Sequence, residues 1–456
     1  MKNVFTLLLL VLVASSAKAQ LSPAITSWLQ NDTETGSYYM QGNYIALDND
    51  ILYNCQKVEY SNDFAYVHTK GIPSYPTGPF LDGNPSQAQD QDAIYKIPLS
   101  PQENTGINAA TNPGNIGVFI NGVSLFDWRD GVAWNPQTNA LCGGPGNPPC
   151  PGGPMAQQDW NRDAIPAEKP GFDCSKAHPA MGNYHHHQNP SAFKLDIDVI
   201  SDICSLYDAD GLYAIDETQH APLIGFAYDG FPIYGAHGFK NNDGTGGIVR
   251  IKSSYQLRAI TERTTHADGT AVDVGPAINT TYFLGYFRED YEYVAHPDED
   301  DFLDEHNGRF CITPEYPDGT YAYFATVDEN WNSAYPYIVG PTFYGNSENR
   351  KVESVTETTT VYDGTTSLNE VNNNDLNITV FPNPSADLIA VQINDLVSEE
   401  IIIELIDISG KTIKSKTIKA GSTIAYFDTE VLYPGAYLIK LSGNNFIKTK
   451  KVVISK

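Results

Sequence analysis

The chain has 456 residues, of which 55 are acidic and 28 are basic, and its formal net charge is −27. No stretch of the mature body gathers lysine and arginine into a basic patch, so nucleic acid is a poor candidate partner. The length predicts more than one domain.

The N-terminal residues 1–19 have the pattern of a secretory signal peptide. Lys2 gives a positive start, residues 4–13 are almost wholly apolar, and Ala17–Ala19 offers small residues before a cleavage site. The apolar run is too short to span a membrane, and no other stretch approaches the length of a transmembrane helix. We therefore expect the mature chain to begin near Gln20 and to leave the cytoplasm.

The six cysteines are expected to form disulfides, because an exported chain meets an oxidising environment. Sequence alone does not determine their connectivity. No closely spaced double Cys-x-x-Cys set is present, so a structural zinc finger is not expected. The candidates by position are Cys142 with Cys150 around a Gly/Pro-rich loop, Cys174 with Cys204 around a histidine-rich segment, and the remaining Cys55 and Cys311.

Residues 20–345 predict a β-rich body. They are rich in glycine, proline, asparagine, aspartate and tyrosine, and short apolar runs alternate with turn residues instead of following a helical period. Two runs meet at Tyr228-Asp229-Gly230-Phe231, where Asp-Gly is a strong hairpin signal. Many short strands with such turns favour an all-β sandwich or a barrel-like fold. The expected strands include 117–125, 223–228, 232–234, 281–286, 321–326 and 337–339.

Three consecutive histidines stand in Tyr184-His185-His186-His187. On a β-strand, alternate side chains share a face, so His185 and His187 lie on one face and Tyr184 and His186 on the other. His178, seven residues upstream, is close enough in sequence to fold back onto that face. Neutral imidazole is a common ligand of zinc and copper, so the cluster predicts a transition-metal site. The alternative is a set of hydrogen-bonded structural histidines in a tyrosine-rich core.

Four further residues are candidates for the same site. Asp229 could supply a carboxylate ligand, although its turn chemistry alone explains its presence. Tyr184 and Tyr234 could hydrogen-bond to the ligands, and His237 could join from the strand that follows the hairpin.

A second group of charged residues lies in segments 296–301 and 303–309. Its dense carboxylates could hold calcium, although their spacing does not match the calcium-loop pattern. Asp304 and Arg309 could form a buried pair that positions a loop, or Arg309 could bind an anionic group of a substrate. His306 lies between them. A solvated acidic loop is the alternative.

The composition changes after residue 345. Residues 346–377 are rich in serine, glutamate, threonine and asparagine and predict a flexible linker. Residues 378–456 alternate short apolar runs with turns, which is typical of a small β-sandwich.

This last segment resembles the C-terminal sorting domain of the type IX secretion system of Bacteroidota. The resemblance implies an Ig-like fold, recognition by the secretion machinery, export across the outer membrane, removal of the domain, and release or surface anchoring. A plain Ig-like adhesion module is the alternative. The matching residues are Phe381-Pro-Asn-Pro384, Asp387, Asp407-Ile-Ser-Gly-Lys411, Leu432-Tyr-Pro-Gly-Ala-Tyr437 and Lys450-Lys-Val-Val453.

The body resembles the YHYH-domain family, with His186 in place of the motif's second tyrosine. Residue 186 faces away from His185 and His187, so histidine in place of tyrosine there leaves the proposed metal-binding pair unchanged. The resemblance itself implies no defined activity. Besides the motif, it is carried by segments 115–123, 172–178, 223–235, 303–309 and 313–324.

Motifs of several enzyme classes are missing, including the Gly-x-Ser-x-Gly elbow, the phosphate-binding loop, His-Glu-x-x-His and the dinucleotide fingerprint. The leading hypothesis is an exported protein that binds zinc or copper through its histidines and acts as a metal-dependent hydrolase or oxidase on an extracellular substrate. The alternative is a non-catalytic module that binds glycan or protein through aromatic residues. Its candidate contact platforms are 127–129, 286–288 and 329–331.

Overall fold

The computed structural model divides the chain into two units, Met1–Gly364 and Thr365–Lys456. The expected signal peptide lies outside the described residues. The structure describes residues 21–42, 45–80, 87–144, 146–152, 158–190, 211–213, 215–348, 350–363, 378–393, 401–407, 411–418, 424–443 and 447–455.

The regular secondary structure in the described part of the first unit is almost all short strands, joined by turns and irregular chain, which confirms the all-β prediction. Its strands, in chain order, are β1 (Thr35–Tyr38), β2 (Leu47–Leu52), β3 (Cys55–Tyr60), β4 (Phe64–Thr69), β5 (Ala93–Pro98), β6 (Ala109–Ala110), β7 (Asn115–Phe119), β8 (Ser124–Phe126), β9 (Arg129–Asn135), β10 (Ala140–Cys142), β11 (Asn161–Asp163), β12 (Ala177–Ala180), β13 (Asn183–His186), β14 (Leu223–Ala227), β15 (Pro232–Tyr234), β16 (His237–Phe239), β17 (Ile248–Arg250), β18 (Tyr255–Leu257), β19 (Tyr291–Tyr293), β20 (Gly308–Cys311), β21 (Thr320–Phe324), β22 (Thr342–Phe343), β23 (Lys351–Val352) and β24 (Thr360–Tyr362).

The central sheet has eight strands in the order β12-β13-β8-β7-β14-β15-β21-β20. Its neighbours are antiparallel except for the parallel pairs β13–β8 and β15–β21. β14 and β15 form the expected hairpin around Asp229-Gly230, where Gly230 has φ +93°. Every residue of β14 is buried, which explains its continuous apolar run.

The sequence-based strands 117–125, 281–286 and 337–339 need correction. The first is two strands, β7 and β8, separated by a turn at Asn121-Gly122. The other two segments are turns and irregular chain. Tyr337 is buried without strand pairing, whereas Tyr282 and Tyr286 are partly buried and Phe283 is exposed.

A second sheet has five strands in the order β23-β5-β4-β3-β24. In β5, buried residues alternate with partly buried ones. Buried residues of this sheet and of the central sheet belong to one core, and the Tyr95 hydroxyl lies 2.8 Å from the Ser124 hydroxyl across it. The body is therefore a sandwich of open sheets in its described part, and not a closed barrel.

The expected linker over 346–377 is too long. β23 pairs with β5 and β24 pairs with β3, so residues 351–352 and 360–362 belong to the body. This stretch is polar, but its residues form strands because they pair with strands hundreds of residues earlier in the chain. Residues 364–377 lie outside the described residues.

Helices are few and short in the described part: α1 (Pro23–Thr26), α2 (Ala164–Glu168), and two 3-10 turns at Lys169–Gly171 and Arg288–Asp290. No helix in that part is both long enough and apolar enough to cross a membrane.

The second unit contains two sheets, β25-β26-β29 and β28-β27-β30-β31. Apolar residues from both sheets, among them Val391, Leu405 and Ile439, form one buried core, so this unit is the expected small β-sandwich. Its strands are β25 (Ile378–Phe381), β26 (Leu388–Ile393), β27 (Ile401–Asp407), β28 (Thr412–Ile418), β29 (Ile424–Asp428), β30 (Gly435–Ser442) and β31 (Ile447–Ile454).

The three predicted disulfides have different outcomes in the structure. Cys142 and Cys150 are joined by a disulfide. Cys174 is also disulfide-bonded, and Cys204, its expected partner, lies outside the described residues. The prediction for Cys55 and Cys311 needs correction: both are free, buried thiols, and they lie on strands of different sheets, β3 and β20.

Candidate metal site

The strand pair β12–β13 brings three histidines together. The two strands are antiparallel, and His178 stands directly opposite His185 in their register. His187 lies one residue beyond the end of β13, on the same side as His185. Ligand nitrogens of the three rings all lie within 4.8 Å of one another. His185 and His187 share a face, as the two-residue period of a strand predicts. His178 folds back onto that face, so the three side chains meet.

Backbone carbonyl groups fix the orientation of two of the rings. His185 Nδ1 lies 2.9 Å from the carbonyl oxygen of Asn183, and His187 Nδ1 lies 2.5 Å from that of Asp127. A carbonyl oxygen only accepts hydrogen bonds, so each Nδ1 carries a proton. In a neutral ring Nε2 is then an acceptor, whereas a second proton on His187 would let its Nε2 donate to Glu168. The Nε2 atoms of His185 and His187 are 3.1 Å apart.

Glu168 adds a carboxylate to the three histidines. Its Oε2 atom lies 3.2 Å from Nε2 of His178 and 3.2 Å from Nε2 of His187. Burial by itself would raise the pKa of Glu168, but hydrogen bonds and charge from these two histidines outweigh it and hold the pKa well below its usual range. The carboxylate is therefore ionised at neutral pH and available as a ligand.

Glu168 is positioned by the short helix α2. Asp163 is the N-cap of this helix, and its Oδ1 accepts a hydrogen bond from the Ile165 backbone N–H. The other oxygen of Asp163 accepts a 2.6 Å hydrogen bond from the Tyr337 hydroxyl, which ties the helix to the body. Sequence analysis missed Glu168. An N-cap aspartate followed by proline in the first turn indicates the helix, but nothing local distinguishes Glu168 from the chain's other acidic residues.

Aromatic side chains wall the site. Phe126 stacks on His185 with ring centroids 3.7 Å apart, and Phe172 meets the ring of His178 at 4.9 Å. His185 is 1% exposed, whereas the Glu168 side chain is 24% exposed, although its Oε2 atom, which faces the histidines, is buried. Burial, followed by the charges of the neighbouring histidines, lowers the pKa of His185 well below its usual value.

The opposite face of β13 is structural. The Tyr184 hydroxyl donates a 2.8 Å hydrogen bond to Asp173, whose carboxylate also accepts backbone N–H groups of Gly78, Ser175 and Ala177. Tyr184 thus supports the turn that leads into β12. His186 contacts the Tyr75 hydroxyl at 2.8 Å, and burial lowers its pKa to about 3.

Asp229 is not part of the histidine cluster. Its Oδ2 atom accepts hydrogen bonds from the Tyr323 hydroxyl at 2.6 Å and from the Gly345 N–H at 2.9 Å, and Oδ1 accepts one from Phe231. Both carboxylate oxygens are therefore used at the hairpin. Among the described residues, the group with converging ligand atoms contains the three histidines and not Asp229.

Tyr234 and His237 also make contacts away from that cluster. The Tyr234 hydroxyl lies 2.8 Å from the Thr313 hydroxyl and donates a 2.8 Å hydrogen bond to Glu315. His237 packs against Trp331, with ring centroids 5.1 Å apart.

The second charged group organises a loop. Asp304 accepts hydrogen bonds from the Tyr321 hydroxyl and from the backbone N–H groups of His306 and Gly308. The His306 ring bonds to the Thr342 hydroxyl at 2.7 Å.

Arg309 donates its hydrogen bonds to backbone carbonyls. Its partners are the carbonyl groups of Phe239, Lys240 and Asp300. Pairing between Asp304 and Arg309 is not seen in the described chain, because the guanidinium is occupied by these carbonyls. The structure therefore assigns Arg309 to loop positioning, and calcium binding by the acidic loop stays a prediction.

Three imidazole nitrogens and one carboxylate suit zinc or copper. Two ligand atoms at about 2.0–2.1 Å from a tetrahedral zinc ion are about 3.3 Å apart. The separations from His185 to His187 and from Glu168 to each of His178 and His187 are 3.1, 3.2 and 3.2 Å. These three separations are close to the tetrahedral value, whereas the three histidine nitrogens as a set span up to 4.8 Å, so a tetrahedral ion would require the rings to move closer together.

The fold and its C-terminal sandwich define a class of exported β-proteins. Residues 379–455 match the model of the secretion system C-terminal sorting domain, which marks the protein for type IX export to the cell surface or beyond. Residues 94–336, more than half of the chain, match the model of the YHYH protein family, and the chain belongs to that family. No curated protein matches the sequence.

Proposed function

We propose that the body binds a transition metal ion through His178, His185 and His187, with Glu168 as the fourth ligand. The ion would serve the hydrolysis or oxidation of an extracellular substrate. The export signal supports an extracellular substrate, because the sorting domain directs the body out of the cell.

The observation that carries the proposal is the 3.1 Å separation between Nε2 of His185 and Nε2 of His187. Both Nδ1 atoms donate to carbonyl oxygens, so this contact between the two Nε2 atoms needs a positive charge, supplied either by a metal ion or by a second proton on His187. Burial disfavours protonation of His185. A metal ion satisfies both lone pairs and neutralises Glu168.

Four protein ligands complete a tetrahedral site, so a water molecule or substrate would need a fifth position or the position of Glu168. With that position available, zinc would supply Lewis acidity and copper would supply redox chemistry. The protein's own residues have distinct tasks. Asn183 and Asp127 hold the two imidazoles in the tautomer that presents Nε2. Phe126 and Phe172 exclude water from one side of the site. Glu168 is its most exposed member, so a substrate would approach past this side chain, whose Oε2 atom is buried.

Elemental analysis of the exported protein tests the proposal. Wild-type protein and the His185→Ala/His187→Ala variant are compared, with His306→Asn as a control that alters a buried histidine elsewhere. We expect about one zinc or copper ion per chain in the wild type and the control, and loss of the ion in the double variant. Circular dichroism at each step establishes that the variants are folded.

Absence of bound metal in folded wild type, even after reconstitution with zinc and with copper, would refute the proposal. A metal content that is equal in the double variant would place the ion elsewhere. The identity of the retained ion then decides between the two chemistries: zinc directs activity screening to hydrolysis and copper to oxidation.

A further inference from the structure

Two of the three aromatic platforms expected from sequence are buried, and the third is not. Trp128 and Phe287 are at most 4% exposed and belong to the packed interior. Trp331 is only partly buried and stands in a hairpin closed by the bridge between Val327 and Ser333.

Trp331 has φ +66°, in the left-handed region that favours glycine and disfavours bulky side chains. The Asp328 carboxylate fixes this turn by accepting the backbone N–H groups of Asn330 and Asn332. Glycine or asparagine would suit the backbone better at position 331. A tryptophan kept in an unfavourable conformation points to a use for the indole ring itself.

The indole ring is held from two sides. Its Nε1–H donates a 2.9 Å hydrogen bond to Glu217, which is distant in sequence. The ring of His237, itself 7% exposed, packs beside it at a tilt of 35°. The orientation of the indole ring is therefore set before any ligand arrives.

A cavity of about 220 Å³ opens beside this ring. Pockets that enclose drug-sized ligands measure about 300–1,000 Å³, so this cavity has room for a ligand with a single ring. Its wall combines aromatic surface with hydrogen-bonding groups. The lining includes Tyr213, Asp216, Gln219, His220, His237 and Trp331.

The polar groups select against anions. Asp216 is exposed, and hydrogen bonds from Thr218 lower its pKa, so its carboxylate is ionised. With Glu217 adjacent to the indole, the cavity carries negative charge at its mouth. Gln219 Nε2 donates a 2.7 Å hydrogen bond to Asp216 Oδ2, which fixes these two side chains relative to each other. A neutral ligand with hydroxyl groups can donate to remaining lone pairs of the carboxylates and to imidazole, accept from the second N–H of the Gln219 amide, and place its C–H groups on the indole.

We infer that this cavity binds one neutral sugar ring, as a free monosaccharide or as the terminal residue of an extracellular glycan. Trp331 provides the stacking surface, and Asp216 and Gln219 on the rim bond to hydroxyl groups. The site does not use the histidine triad, and it would serve to hold the exported protein on a glycan whether or not the triad carries a metal.

The test measures binding of neutral monosaccharides to the full-length protein by saturation-transfer NMR and calorimetry. The panel contains glucose, galactose, mannose, fucose and N-acetylglucosamine, with choline as a cationic probe. The key variant is Trp331→Gly, because glycine removes the indole and suits a φ of +66°. Met181→Gly is the matched control, since Met181 also has positive φ and is 97% exposed.

We expect at least one sugar to bind the wild type and Met181→Gly, with affinity at least tenfold weaker in Trp331→Gly. The variant Gln219→Ala, which leaves the hairpin untouched, should weaken the same sugar. The His185→Ala/His187→Ala variant should bind it normally. The inference is overturned if no sugar binds, if Trp331→Gly and Gln219→Ala bind as the wild type does, or if choline binds in preference to every sugar.

Discussion

Nε2 of His185 and Nε2 of His187 lie 3.1 Å apart, although each ring already donates its Nδ1 proton to a backbone carbonyl. This relationship distinguishes the cluster from ordinary buried histidines, which satisfy each nitrogen with a complementary partner. A proton shared between the rings would require an imidazolium in a buried place, and burial lowers the pKa of His185. Under our proposal a metal ion supplies the positive charge that this contact needs, and the consequences of that proposal can be measured.

Glu168→Gln should weaken metal binding without emptying the site at saturating metal. The amide oxygen keeps the shape of the carboxylate but loses its charge, so we expect an affinity about 10–100-fold lower, in the range seen when a group that supports a metal site is removed. Competition with a chromogenic chelator gives the affinity. Glu299→Gln, on an exposed loop, is the control. Unchanged affinity in Glu168→Gln would show that the glutamate is not a ligand.

Metal affinity should fall as the pH drops below about 6.5, the ordinary imidazole pKa, because protons compete with the ion for the histidine nitrogens. The direction follows from ligation by neutral imidazole. His185, whose pKa is lowered by burial, should lose its metal-binding form only at the lowest pH values. Chelator competition between pH 7.5 and pH 4 measures the effect. Affinity that stays constant to pH 4 would contradict histidine ligation.

The parts of this site that can be predicted from the sequence are those that depend on residues close to one another along the chain. The shared face of His185 and His187 follows from the two-residue period of a strand, and the hairpin at Asp229-Gly230 follows from turn chemistry. Both are local effects. Glu168 reaches the cluster through the position of a short helix, which depends on packing with Tyr337 and so has no local signature.

The wrong prediction that Asp229 is a metal ligand also comes from contacts between residues that are distant in sequence. Its hairpin was correctly predicted, but the choice of partner for its carboxylate depends on Tyr323 and Gly345, which the fold brings from distant parts of the chain. Likewise, strands β23 and β24 are too short and polar to be recognised before β5 and β3 are in place. Long-range strand pairing is not encoded in the composition of either partner alone.

His186→Tyr, which restores the family's tyrosine at this position, should make the body less sensitive to acid. Burial lowers the pKa of His186 to about 3 in the folded state, against about 6.5 when unfolded. Its contribution to stability is therefore complete above pH 6.5 and is lost as the pH falls from 6.5 toward 3. Between pH 6.5 and 4.5 the loss is on the order of 2 kcal/mol.

The measurement for His186→Tyr is a comparison of chemical unfolding at pH 6.5 and 4.5 in metal-free wild type and variant. The difference between the two proteins is needed, because burial raises the pKa of both Asp173 and Glu289 to about 7. These two carboxyl groups stabilise the fold as the pH falls from 7 toward 4, opposite to His186. His296→Tyr, at a more exposed histidine, serves as the control. Equal acid sensitivity in wild type and His186→Tyr would contradict the assignment.

The oxidised protein should have two thiols that are inert until it unfolds. Cys55 and Cys311 are free and at most 1% exposed, and burial raises the pKa of both thiols. Reactivity requires an accessible thiolate, so both factors protect them. We expect a colorimetric thiol reagent to detect none in native protein and two per chain in denaturant without reductant. Cys55→Ala should reduce the denatured count by one. Rapid labelling of the native protein, or no thiol in denaturant, would contradict the arrangement of cysteines described for the body.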